Sequence, residues 1–230
     1  MKYEFVPGDE ITIAPGRTVK RIRALVAIAA FGIVPGQLGG YIEKESTLSQ
    51  VSGDAWVSGD AWVCGNARVS GNAWVSGDAW VCGNAQVSGD AQVYGKAQVY
   101  GKAWVSGNAQ VYGNAQVSGN ARVSGDAQVY GKAWVSGNAQ VYGNARVSGD
   151  AQVYGDGLIF WASKVGTANG TLTVYSAKDN TLQVTRGCFI GSVDEFLVKS
   201  EAEHDDQTHL EYRLLIEVAY SRITRAIAKA

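Results

Sequence analysis

The chain has 230 residues, with twenty basic against twenty-one acidic side chains and a formal net charge of −1. No overall field therefore draws it toward phosphate backbones or an anionic membrane, and nucleic acid is not the expected partner. Three cysteines, Cys64, Cys82 and Cys188, are an odd and sparse set; they read as thiols and point to a reducing cytoplasm rather than a disulfide-stapled secreted fold.

The N-terminal segment, residues 1–49, is β-rich. Lys2 to Val6, Ile11 to Ile13 and Val19 to Ile28 have strand-like patterning, broken by Pro7-Gly8 and Pro15-Gly16. The longest apolar run, Ala24 to Val34, has about half the length a membrane span requires and follows mostly polar residues, so neither a transmembrane helix nor an ordinary signal peptide is expected. The basic residues Lys20, Arg21 and Arg23 ahead of that run are its one signal-like feature.

From about Gln50 to Asp156 the chain is a run of eighteen hexapeptides: a valine every six residues from Val51 to Val153, a glycine two places after each, and an alanine two places before nearly every one. Ala and Val two apart fall on the same face of a strand, so each unit turns both inward and one variable residue outward between them. Gly59 and its equivalents, followed by Asn, Asp or Lys, supply the corner. Such a unit buries its apolar side only when coils stack. Eighteen residues per three-sided coil give about six coils, rising about 4.8 Å each. That spacing stacks Trp56 on Trp74, Trp62 on Trp80, Cys64 on Cys82, and Tyr94 on Tyr112 on Tyr130.

Beyond Asp156 the period stops. Thr171 to Tyr175 and Thr181 to Thr185 read as a hairpin around Lys178-Asp179-Asn180. The patterns Ser192-Val193-Asp194-Glu195 and Thr208-His209-Leu210-Glu211 predict capping boxes opening helices over roughly Val193 to Glu203 and His209 to Ile227. Residues 157–230 are thus expected to form a small α+β domain that also caps the rod.

The A-x-V-x-G-[ND] unit is similar to that of hexapeptide-repeat proteins, and the resemblance implies a left-handed parallel β-helix, often a homotrimer. The glycine stands two places after the valine, where many acyltransferases of that family carry it one place after. This variant, with Leu38-Gly39-Gly40-Tyr41-Ile42-Glu43-Lys44-Glu45 ahead of it, resembles uncharacterised repeat proteins of phages and prophages, in which similar tails follow the repeats. The expected fold is mainly β: a three-sided parallel β-helix with an N-terminal β cap and a C-terminal α+β domain.

Chemistry is sparse. Family acyltransferases use a histidine base between coils, whereas the two histidines here, His204 and His209, lie outside the repeats. Glu203-His204-Asp205-Asp206 mixes metal-ligand types without further His or Cys nearby, and the Cys64/Cys82 pair is too small for a structural zinc site, so no metal and no cofactor is expected. The outward positions carry Trp56, Trp62, Trp74, Trp80, Trp104 and Trp134, and Tyr94, Tyr112 and Tyr130 add a ladder. Exposed aromatics on a flat β face suit binding or assembly.

The leading expectation is a non-enzymatic phage accessory scaffold in the host cytoplasm, a homotrimer that binds a host protein or small ligand and acts as an inhibitor or sequestering agent. An acyl-CoA-dependent acyltransferase and a glycan-binding fibre segment are the alternatives. Mimicry of DNA is excluded by charge: residues 50–156 hold seven Asp against three Lys and three Arg, a net of −1.

Overall fold

The computed structural model describes residues 1–51, 53–155 and 157–228, which leaves Asp156, the expected end of the array, outside the described residues. Seventeen two-residue strands, β4 (Trp56–Val57) through β20 (Gln152–Val153), recur every six residues and stack in parallel on three faces. The result is a parallel β-solenoid of about six turns, as the period predicts. One face carries Trp62, Trp80, Gln98, Gln116, Trp134 and Gln152 in register; the second carries Trp56, Trp74, Gln92, Gln110, Gln128 and Arg146; the third carries Arg68, Gln86, Trp104, Arg122 and Gln140. Ala and Val of each rung are fully or almost fully buried from Ala55 to Val153.

Val51 departs from the expected pattern: it is 96 % exposed. Its place in the core is taken by residues outside the repeat. β3 (Leu38–Ile42) pairs in parallel with the Trp62 rung, setting Tyr41 beside Trp62 and Ile42 beside Val63, and Leu48 bridges to Val69 on the third face. The first coil is therefore assembled largely from non-repeat sequence, which period alone could not reveal.

β1 (Tyr3–Ala14) and β2 (Arg17–Ala24) form a hairpin that continues the first face through β3. Pro7-Gly8 does not end a strand, as the sequence suggests; it sits where the β1–β2 register shifts between Phe5 and Glu10. Proline is tolerated there because β1 is the outermost strand of its sheet. The Ala24–Val34 run folds back over the rod: Ile28 and Ile33 are buried, and Phe31 stacks on Trp74 at 5.0 Å between ring centroids. Tyr3 donates its hydroxyl hydrogen to the Leu48 carbonyl at 3.0 Å, tying the cap to the first coil.

At the other end, β21 (Ile159–Val165), β22 (Gly170–Ser176), β23 (Leu182–Arg186) and β24 (Phe189–Ser192) make an antiparallel sheet. The expected hairpin is its centre, with Thr173 opposite Thr185. This sheet meets open backbone of the last coil: the Thr185 hydroxyl donates to the Arg146 carbonyl at 2.8 Å, and Tyr175 donates to the Ser148 carbonyl at 3.3 Å. α1 (Val193–Glu203) opens with the expected Ser192/Glu195 capping box. α2 (Asp206–Ile227) begins before the expected His209, because Asp205 rather than Thr208 is the cap and accepts the Thr208 amide at 2.7 Å. Among the described residues no helix is long and apolar enough to cross a membrane.

The corners set the rod's tolerance. Gly107 has φ +66°, and a Cβ built on it would lie 2.9 Å from the Gly125 amide nitrogen of the next coil. Gly143 has φ +63° but would meet only Trp161 Nε1, at 3.8 Å. Gly143→Ala is thus expected to cost about 1–2 kcal/mol for its left-handed backbone alone, and Gly107→Ala clearly more. Equilibrium denaturation of the two variants side by side checks the ordering.

Candidate functional site

Where the outward aromatics end up decides which of them form a surface. Trp56 points away from the coil as expected, yet it is fully buried, covered by the N-terminal cap: a Cβ on Gly39 would lie 2.8 Å from its ring. It is therefore no free surface residue. Trp74 is half-buried under Phe31. For these two the chain's own N-terminal segment supplies the cover. Tyr94, Tyr112 and Tyr130 stack at 4.9 Å with rings parallel to within 2°. They are half-buried, and burial pushes the Tyr94 and Tyr112 hydroxyls above the usual tyrosine range. Trp104 and Trp134 remain partly exposed, 42 % and 37 %. Trp104 lies beneath the Arg122 guanidinium at 5.5 Å, and Trp134 meets Tyr154 edge to face at 5.3 Å.

Three of the six outward indoles share one clamp. Trp74 donates its ring N–H to Ser58 Oγ at 2.8 Å, Trp104 to Ser88 at 3.3 Å and Trp134 to Ser118 at 3.2 Å. In each case the acceptor lies sixteen residues earlier, beside the corner of the preceding coil. For Trp80 that position is Cys64. Its sulfur is bonded to Cys82, with Cα atoms 4.6 Å apart, and the Trp80 N–H has no partner among the described residues.

That disulfide overturns the reading of Cys64 and Cys82 as thiols. Residues eighteen apart in an in-register parallel column necessarily approach within the Cα separation a disulfide requires, so the spacing already carried the signal. The compartment argument drawn from three thiols loses its basis; Cys188 alone is free and exposed.

Trp62, Trp80 and the disulfide belong to one cleft of about 360 Å³ between the first face and the tip of the β1–β2 hairpin. One wall is the stacked pair Trp62 and Trp80, 5.1 Å apart and 17° from parallel. The adjacent column, Cys64, Cys82 and Tyr100, forms the floor, and Ile13, Ala14 and Arg17 close the third side. The aromatic column Tyr41–Trp62–Trp80 stops at Gln98, which pairs with the Trp80 rung. The indole stack therefore ends at Trp80, which is 44 % exposed.

Arg17 is fastened to Glu43, its NH2 nitrogen 2.7 Å from Oε2, and Glu43 also accepts the Gly65 amide. The Arg17 hydrogen bond holds the Glu43 carboxyl below the usual carboxylate range. A depressed folded value means that this tie is fully present above the ordinary glutamate pKa and weakens as pH falls through the lowered one. With Arg17 neutralised by Glu43, the cleft offers no uncompensated charge.

The histidines stand apart from the coil. His204 caps the end of α1 and packs beside Tyr212 at 5.6 Å; His209 Nδ1 lies 3.3 Å from Ser200 Oγ within the helix pair. Among the described residues no group of three or more His, Cys, Asp or Glu side chains is gathered as metal ligands. Sequence reasoning missed the cleft, because its roof comes from the hairpin tip, remote in sequence from the indoles.

Segments 49–65, 63–77, 67–83, 85–101, 115–131 and 139–155 match the family model described as the YdcK beta solenoid repeat. These segments lie in the rod and its immediate lead-in, and they cover less than half of the chain. The protein is accordingly a β-solenoid repeat protein. No curated protein matches the chain.

The disulfide is checked by peptide mapping without reductant: Cys64 and Cys82 are expected in one cross-linked fragment that separates on reduction, with Cys188 alone alkylated beforehand. Alkylation of all three in the native, unreduced protein would contradict it.

Proposed function

We propose that this protein is a non-enzymatic binding scaffold whose ligand site is the cleft beneath Trp80. The observation that carries the reading is the interrupted ladder beside a cleft: two stacked indoles that give way to Gln98, and a Trp80 N–H left without an acceptor where Cys64 replaces the serine that clamps Trp74, Trp104 and Trp134. A ring held in the cleft stacks on the exposed part of the Trp80 indole. A hydroxyl or carbonyl substituent reaching past the indole edge would accept the Trp80 N–H, and the Gln98 amide and the Tyr100 hydroxyl lie at the rim. Since Arg17 is already paired with Glu43, an uncharged ring is favoured: a sugar or a neutral heterocycle. A rigid rod that captures such a molecule suits the phage-encoded accessory role implied by the repeat's resemblance, in which the scaffold sequesters a host metabolite or occupies the ligand-binding position of a host partner.

The test is native mass spectrometry of the gently purified protein, followed by tryptophan-fluorescence titration with neutral mono- and disaccharides and with nucleosides. A saturable response that Trp80→Ala weakens at least about tenfold, a loss of 1.4 kcal/mol, with unchanged far-UV circular dichroism, supports the proposal. No retained ligand and no binding across the panel, or binding indifferent to Trp80→Ala, overturns it.

A further inference from the structure

Helix α2 has two apolar sides, and the chain covers only one. Tyr212, Ile216, Ala219 and Ile223 are buried on the sheet side, where α2 packs on β21, β22 and α1. On the opposite side Leu210, Leu214 and Val218 are 41 %, 50 % and 47 % exposed. Their spacing of four sets them on a single i±4 ridge. A shallow groove bounded by Leu214, Val218 and Arg222 on one row and Glu217, Ser221 and Arg225 on the next runs beside that ridge.

We infer that this face binds a second copy of the same chain, α2 against α2, in an antiparallel pair. A ridge lying next to a groove of the same pitch is self-complementary, because two i±4 ridges interdigitate at a crossing angle of about −50°, and a two-fold axis lets each copy present both halves of the contact. Charge sets the direction and the register. Arg213, Glu217, Arg222 and Arg225 are exposed and make no ion pair or hydrogen bond among the described residues, in contrast to Lys199 and Glu203 on α1, 3.2 Å apart. Arg213 and Glu217 share one flank of α2, but with the cation on the N-terminal side, the poorer order for an intrahelical pair. An antiparallel crossing centred at the level of Leu215 brings Arg213 of each copy level with Glu217 of the other, forming two equivalent ion pairs beside the Leu214 contact. A parallel crossing would instead carry this flank of the two copies to opposite sides of the contact and leave these charges unpaired. The pairing is independent of the cleft, which lies at the other end of the rod.

The contact is small, so association is sought by sedimentation analysis of the full chain at about 10–100 µM. A dimer is expected. Leu214→Glu should give a monomer with unchanged far-UV circular dichroism. Glu217→Arg should weaken the dimer at least about tenfold, and combining it with Arg213→Glu should restore it, a result that nonspecific hydrophobic sticking would not produce. A monomer throughout this range, a trimer, or a dimer indifferent to Leu214→Glu and Glu217→Arg overturns the inference.

Discussion

Everything in this molecule depends on the vertical register between coils. Each rung's amides donate to carbonyls one coil on, as in Trp62 to Ala79 and Cys64 to Val81, both at 2.9 Å. At the corners the glycines pass so closely that a Cβ would collide with the next backbone. Hydrogen bonds and close approach together leave no freedom to slip by a residue. A one-residue slip would turn every buried Val outward. Because register is fixed in this way, chemistry eighteen residues apart becomes neighbouring chemistry: indole on indole, phenol on phenol, sulfur on sulfur.

That constraint explains why so much of the rod was legible. Period six gave the rungs, the alternation gave the inward face, and the eighteen-residue step gave the three columns and the Tyr94–Tyr112–Tyr130 ladder. The capping box at Ser192 marked α1 to the residue, since it is a local signal complete within four positions. What stayed hidden was tertiary. The first coil is built from Tyr41, Ile42 and Leu48, which carry no period, so Val51 looked like core and is solvent-facing. Trp56 obeys the outward phase and is buried nonetheless, because a segment distant in sequence lies over it. The disulfide was within reach of the same column argument that stacked Cys64 on Cys82; composition outweighed geometry in the reading, and geometry wins.

The cleft shows how a repeat acquires individuality. A perfect array presents the same groove on every coil and offers nothing distinctive. Here three departures coincide on one face: indoles at two consecutive rungs followed by Gln98, cysteine in place of the serine clamp, and a hairpin tip anchored by Arg17 to Glu43. Each is a minor variation on its own. Together they form a cleft with an exposed indole and a free donor, carried on a hydrogen-bonded ladder.

The central claim is that the rungs form one continuous, rigid ladder. Amide hydrogen exchange read by mass spectrometry tests it most directly, since each rung's amides are committed to the neighbouring coil. The structure predicts strong, nearly uniform protection of peptides spanning residues 56–147, with protection continuing into the β1–β2 hairpin and the C-terminal sheet that close the ends. Rapid exchange through the middle of the rod would contradict the stacked register, and with it the placement of every side chain assigned to the cleft.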